Sequence, residues 1–351
     1  MHGHRRDGTI VIGGDARQRF HDARGYGYPL EGNEIAVAPV EAAHLLFRGD
    51  LEAVDDEAFP AFVETAAATD PSFGPRFLVY ADFRERGFYL SPAEPDWVTT
   101  IDAVDTAEPA IDFYVYPRGQ GPCDGDIAYR VRVLDEYASV PIADLDDDLL
   151  AIIDEEGEVT YLGASRPDYE GSAAYTPPAV SGTLLTDRVV VWDPPAELYQ
   201  EGFYGQPLGA VDADEALSTL HLSLVEAAYL ARNGWLTVEG GPDRLLDRGR
   251  EIGGDAFGRR LQVYTALRDR SVVPKTGFKF GADFRTYSAF ETVDSLSHSE
   301  RLVRVLPPDT TLSPRELALD VRLAHGVRKQ IVFALADGST ISWHSFERVT
   351  P

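Results

Sequence analysis

Cysteine and lysine are nearly absent from this chain. Cys123 is the single cysteine among 351 residues, so an intrachain disulfide cannot form and thiolate-cluster metal sites such as zinc fingers and iron–sulfur centres are excluded. Lys275, Lys279 and Lys329 are the three lysines, all within the last 77 residues, against 29 arginines. Long hydrophobic runs are missing as well. No stretch of 18 uncharged apolar residues exists, and the opening MHGHRRDG has no hydrophobic region of the kind a secretory signal carries. These absences predict a soluble, cytoplasmic protein with no membrane partner.

Acid is what abounds. There are 58 Asp and Glu against 32 Lys and Arg, a formal charge of −26, while 44% of residues are hydrophobic, enough for a core and for two domains. An acidic, lysine-poor surface suits concentrated salt, where screening makes self-repulsion tolerable, and the expected setting is a halophile's cytosol. Such a surface argues against nucleic acid as a default partner. One stretch departs from it: Arg268 to Lys329 holds 11 cations and 8 anions. Contact with phosphate is expected there.

The chain also repeats itself. VEAAHLLFRGDL (40–51) recurs as VEAAYLARNGWL (225–236), and downstream VYADFRERG (79–87) answers VYTALRDRS (263–271). DFYVY (112–116) answers DFRTY (283–287), VRVL at Val131 answers VRVL at Val303, and GYGYPL ending at Leu30 answers FYGQPL ending at Leu208. LLAIIDEEGEVTYL (149–162) answers QIVFALADGSTISWH (330–344) through Gly157 and Gly338. The order is preserved, with a seam in the Pro/Gly/Ser-rich stretch from Ser165 to Gly182. The expected fold is α+β: a tandem duplication of a unit with a helical N-terminal part and a mixed β-sheet, nuclease-like C-terminal part. The repeats are placed at 1–170 and 171–351. Helical spacing at Val40–Phe47 and Ser223–Ala231 opens each unit, alternating strands close it, and a helix from Ser313 through Lys329, with Pro314 after a Ser cap, precedes the last hairpin.

Aligned copies are controls for each other. Tyr287 pairs with Tyr116, but His298 falls opposite Asp126 and Lys329 opposite Asp148. Each has an ordinary reading: a packing tyrosine, a histidine at a cap, a lysine complementing a helix C-terminus. Together, in a locally positive stretch, they suggest a base, an acid and a fixed cation. That set fits attack by a ribose 2′-hydroxyl on its own neighbouring phosphate. The nucleophile is then part of the substrate and no metal-bound water is required. A phenol is a poor base near neutrality unless a positive charge favours its ionised form, and Lys329 is the expected source.

The stretches LRDRSVVPKTGFKFGADFRTY (267–287), HSERLVRV (298–305) and VRLAHGVRKQIVFA (321–334) closely resemble the catalytic part of archaeal tRNA-splicing endonucleases, and the repeat organisation resembles their homodimeric subclass. The resemblance implies Tyr287 as general base, His298 as general acid and Lys329 as transition-state cation. It further implies a bulge-helix-bulge in precursor tRNA as substrate, products with 2′,3′-cyclic phosphate and 5′-hydroxyl ends, a homodimer, and no cofactor or metal. A pair of base-clamping arginines carries over to Arg322 and, near the C-terminus, Arg348, with Trp343 as an aromatic neighbour. The acidic stretches Asp144–Asp148 and Asp154–Glu158 are candidates for a loop that docks the first repeat onto the partner subunit. DNA is not an expected partner.

Lys275, and Lys279 inside the turn between Gly277 and Gly281, are expected to track the RNA backbone. Two other readings stay open on sequence alone: a non-catalytic RNA-binding or scaffold subunit of such a nuclease, and a metal-dependent nuclease.

Overall fold

The structure, a computed structural model, describes residues 1–94, 97, 111–124, 126–209 and 217–351. Its centre is a ten-stranded mixed sheet to which the two halves of the chain contribute five strands each. In spatial order the strands are Val273–Thr276, Phe284–Tyr287, Arg301–Leu306, Gln330–Ala336, Ile341–Arg348, Val159–Ser165, Leu149–Ile153, Tyr129–Asp135, Phe113–Val115 and Leu90–Pro92. The halves join where Val159–Ser165 pairs antiparallel with Ile341–Arg348, Leu162 facing Arg348 and Ser165 facing Ser345. Outward from that seam, each half has the same order. In each, the third strand runs parallel to its inner neighbour (129–135 with 149–153, 301–306 with 330–336) and the other pairs are antiparallel.

Each half also begins with a small five-stranded sheet. One is ordered 28–29, 35–37, 9–12, 2–6, 53–54 and the other 206–207, 219–223, 188–192, 180–184, 236–237. The expectation that each unit opens on a helix therefore needs correction: strands come first, most of them short and the later ones split from their partners by the helices, which hides their period. The helices themselves fall where the spacing placed them. Pro39–Phe47 and Leu224–Arg232 bury corresponding faces, and each is followed by a glycine at positive φ, Gly49 (72°) and Gly234 (76°), the backbone geometry that ends a helix at least cost when no Cβ is present.

The helix before the last hairpin runs Pro314–Gly326, three residues short of the expected end. Ser313 caps it, accepting from the Glu316 amide at 3.2 Å while Glu316 Oε2 accepts from the Ser313 amide at 2.9 Å. Leu317, Val321 and Ala324 form its buried stripe against Ile331, Phe333, Leu335 and Phe346 of the sheet. Arg328 then takes φ 57°, and the chain turns directly from the helix end into the strand that begins at Gln330. Lys329 sits on that corner.

The halves touch beyond the seam. Val140–Pro141 pairs with Thr311–Leu312, Arg315 of the second half donates to Glu136 Oε2 of the first at 2.9 Å, and buried His344 contacts Asp146 at 3.3 Å. The segment after the seam strand belongs with the second half: the amides of Gly171 and Ala173 donate to the carbonyls of Arg270 and Ser271.

Candidate active site

Tyr287 ends its strand, His298 lies three residues before Arg301 begins the next, and Lys329 lies one before Gln330 begins the third. The three strands are neighbours. The first is antiparallel to the second and the second parallel to the third, so one strand end and two strand starts meet at a single end of the sheet. The register refines this: Thr286 faces Arg301 and Arg301 faces Gln330, which sets Tyr287, Glu300 and Lys329 in line one step beyond the last pairs. The Glu300 amide donates to Thr286 O at 3.0 Å and the Gln330 amide to Glu300 O at 3.1 Å, extending the ladders to this edge.

Tyr287 is held by packing. Its ring is 4% exposed, among Phe203, Val273 and Phe290, with Phe203 5.7 Å away between centroids. Lys329 donates to the Ser299 carbonyl at 2.5 Å, which ties the helix corner to the His298 segment, and its ammonium lies 5.6 Å from the Phe280 ring. Burial, with the nearby Arg285 charge, pulls its pKa below the usual lysine value. His298 is exposed, open to a substrate.

The first half lacks this set. Tyr116 is fully buried and its hydroxyl donates to Ser91 Oγ at 2.9 Å. Asp126 stands in the place of His298: Val131 and Val303 occupy matching positions, each accepting from the amide of the Asp that opens DFYVY or DFRTY, and each residue lies five before its valine. The counterpart of Lys329 requires a correction. Val303 faces Val332 whereas Val131 faces Leu149, so the residue three before Leu149, Asp146, matches Lys329, and Asp148 does not. The shift arises because no helix precedes Leu149, only a single turn at Ile142–Asp144, leaving the sequence alignment unanchored there. The chemical contrast stands, since either residue is a carboxylate.

The remaining candidates separate. Arg322 projects from Pro314–Gly326, exposed, with no hydrogen bond or ion pair among the described residues. Its neighbours are already engaged, Asp320 by Arg304 and Glu316 by the Ser313 cap. Arg348 lines an open groove of about 420 Å³ together with Lys329, Arg328, His325, Phe346 and Glu347. Trp343 does not accompany it. Along Ile341–Arg348 side chains alternate, Phe346 facing the Pro314–Gly326 helix while Trp343 packs on the opposite core, 4.7 Å from Tyr169. Lys279 is exposed in the Phe278–Phe280 turn.

Lys275 is the clearest departure from expectation. It is 8% exposed and donates to the carbonyls of Phe203 (3.1 Å) and Gly205 (2.8 Å) and to Glu226 Oε1 (3.0 Å). A buried ammonium with three acceptors does not track RNA. It compensates Glu226, which also accepts from the Gly205 and Ser223 amides. The first half shows the same carboxylate without the lysine: Ser91 faces Tyr114 as Lys275 faces Arg285, and burial pushes Glu41 up to about 7, while the Lys275 charge and hydrogen bonds hold Glu226 below the usual range despite its burial.

Arg285, on the Tyr287 strand, escapes sequence reasoning. A signal for it exists: DFRTY has Arg where DFYVY has Tyr114, a change in kind inside a pair of segments that align without a gap.

Comparison with known proteins gives the class of protein to which this two-part architecture belongs. The model described as "tRNA intron endonuclease, catalytic C-terminal domain" matches residues 257–343, and "tRNA intron endonuclease, N-terminal domain" matches residues 1–65 and 180–248. The chain is 54% identical to the tRNA-splicing endonuclease of Haloarcula marismortui over 98% of both chains, 52% identical to that of Haloferax volcanii over the whole of both, and 34% identical to that of Methanosarcina acetivorans over 97% of both. The chain belongs to the tRNA-splicing endonuclease family. Its halophilic composition agrees with the haloarchaeal relatives, and no helix among the described residues is long and apolar enough to cross a membrane.

Proposed function

We propose that this protein excises introns from precursor tRNA by cutting both splice sites of a bulge-helix-bulge, leaving 2′,3′-cyclic phosphate and 5′-hydroxyl ends. The observation that carries the reading is the meeting of Tyr287, His298 and Lys329 at one end of three adjacent strands. In the proposed step the phenolate of Tyr287 takes the 2′-hydroxyl proton and the 2′ oxygen bonds to the adjacent phosphorus. The bond from phosphorus to the 5′ oxygen breaks, His298 protonates that oxygen, and Lys329 offsets charge on the non-bridging oxygens. One proton is taken and one given, so the step balances without water or metal. DNA lacks the 2′-hydroxyl and cannot react this way. Arg322 and Arg348 are proposed to hold the flipped bulge base, with Lys279 on the backbone, and the site of action is the cytoplasm.

The nucleophile comes from the RNA and the proposed donors are a phenol, an imidazole and an ammonium, so cleavage is expected to be metal-independent. Full chelation at matched ionic strength should leave the single-turnover rate within about twofold; a loss restored by magnesium alone would contradict the step.

We further infer that the halves arose by duplication, an N-terminal repeat at 1–170 having lost its chemistry and a C-terminal repeat at 171–351 having kept it. Intron removal needs two cuts and each chain has one full residue set, so a twofold homodimer is the proposed active form. Of the two acidic stretches, Asp144–Asp148 is partly consumed internally by Arg166, Arg130 and His344, whereas Asp154–Glu158 projects as an exposed hairpin turn and is the better docking element. Light scattering in high salt is expected to give twice the 38.5 kDa chain mass; a fully active monomer would contradict the assembly.

A further inference from the structure

The sheet face that presents Tyr287 and Lys329 also carries Arg285. Arg285 is two residues before Tyr287 on Phe284–Tyr287, so both side chains leave the same face. Its guanidinium carbon lies 5.8 Å from the centre of the Tyr287 ring. Arg285 faces Leu302 and Leu302 faces Ile331, which brings Lys329, two residues before Ile331, onto that face as well.

Neither cation is compensated. Arg285 is half-buried, and its Nε is buried without a hydrogen-bond partner among the described residues. Lys329 is satisfied by a carbonyl, Ser299 O, and no carboxylate stands within ion-pair distance of either residue among the described residues. In the same half, Arg260 pairs with Asp283, Arg304 with Asp320 and Lys275 with Glu226. In a chain with 58 acidic residues, leaving two facing cations without an anion is costly and marks a place where an external anion completes the charge. Both cations vanish together in the first half, where Tyr114 matches Arg285 and Asp146 matches Lys329.

We propose that Arg285 is a further catalytic residue, gripping a non-bridging oxygen of the scissile phosphate beside Lys329. The assignment rests on the RNA-cleaving reading above. The two cations differ in what they offer a phosphate. Guanidinium is a rigid planar fork that fixes its orientation, whereas ammonium is a point charge that stabilises whichever oxygen gains charge.

The test uses the full chain in high salt with precursor tRNA carrying sulfur in place of each non-bridging oxygen at one splice site. Arg285→Gln is expected to melt within a few degrees of the wild type and to cleave roughly a hundredfold more slowly at saturating RNA in single turnover. Arg285→Lys should recover part of that loss. One sulfur isomer should slow the wild type yet have little further effect in Arg285→Gln, because the contact it perturbs is already gone. A rate within threefold of wild type, or a rate loss with the sulfur effect undiminished, would overturn the assignment. Should Arg285→Gln fail to fold, Arg285→Lys decides by the same sulfur criterion. Wild-type protein unable to cut the RNA at all would instead overturn the functional reading and the Arg285 assignment with it.

Discussion

Replacing Lys329 or His298 by alanine is expected to slow the chemical step of precursor cleavage by roughly a hundredfold or more each. Lys329 is the less replaceable of the two. Its backbone is fixed at a helix-to-strand corner, the Lys329 amide donating to Ala324 O at 2.9 Å and its ammonium to Ser299 O at 2.5 Å, so its charge is held at one place. His298 is exposed and structurally unencumbered, so His298→Ala should fold normally and isolate the loss of the proton donor. The internal control is Tyr116→Phe. Among the described residues its hydroxyl donates to Ser91 alone, inside the first half, so removing it should leave the single-turnover rate unchanged while Tyr287→Phe abolishes the fast phase. Equal damage from the two tyrosine variants, measured at saturating RNA, would show both halves to be catalytic.

The second large effect concerns stability. Lys275→Met is expected to cost about 3–5 kcal/mol near pH 8, because it leaves the Glu226 carboxylate buried and unpaired. The pH dependence follows from the two halves. In the wild type the pKa of Glu226 is held down, so its contribution is present above the unfolded glutamate range and lost as pH falls through the folded value. Without the lysine the site comes to resemble Glu41, which burial pushes up to about 7. A raised carboxyl costs stability as pH rises from the unfolded glutamate value to the folded one. The deficit of Lys275→Met should therefore be full above about pH 7 and shrink on acidification toward pH 5. Denaturant unfolding in high salt at several pH values measures it; a deficit that is small, or that grows on acidification, would contradict the ion pair's role.

Much of the site is legible because the chain aligns with itself. DFYVY against DFRTY, and the two VRVL strands, place Tyr287 on one strand and His298 just ahead of a neighbouring one, and the Ser313–Pro314 start with its apolar stripe places a helix ahead of Lys329. Where sequence and structure part, the reasons are physical. Lys275 reads as an RNA-facing cation because its partner Glu226 lies 49 residues away and is brought close only by tertiary packing. Trp343 is near Arg348 in the chain, yet five residues along a strand reverse the face. The small N-terminal sheets escape notice because strands such as Ala53–Val54 and Leu236–Thr237 are too short for alternation to register. Lys329 aligns in sequence with Asp148 where the ladders give Asp146, since only strand register carries that information.

The central claim is that the second half cuts RNA through the substrate's own 2′-hydroxyl. Incubating the protein with an intron-containing precursor tRNA and mapping both product ends tests it most directly, with a parallel substrate bearing a single 2′-deoxy nucleotide at one splice site. The predicted result is 2′,3′-cyclic phosphate and 5′-hydroxyl ends at both cuts, and complete protection of the 2′-deoxy site while the other is still cleaved. Cleavage of the 2′-deoxy site, or products with 5′-phosphate ends, would contradict it.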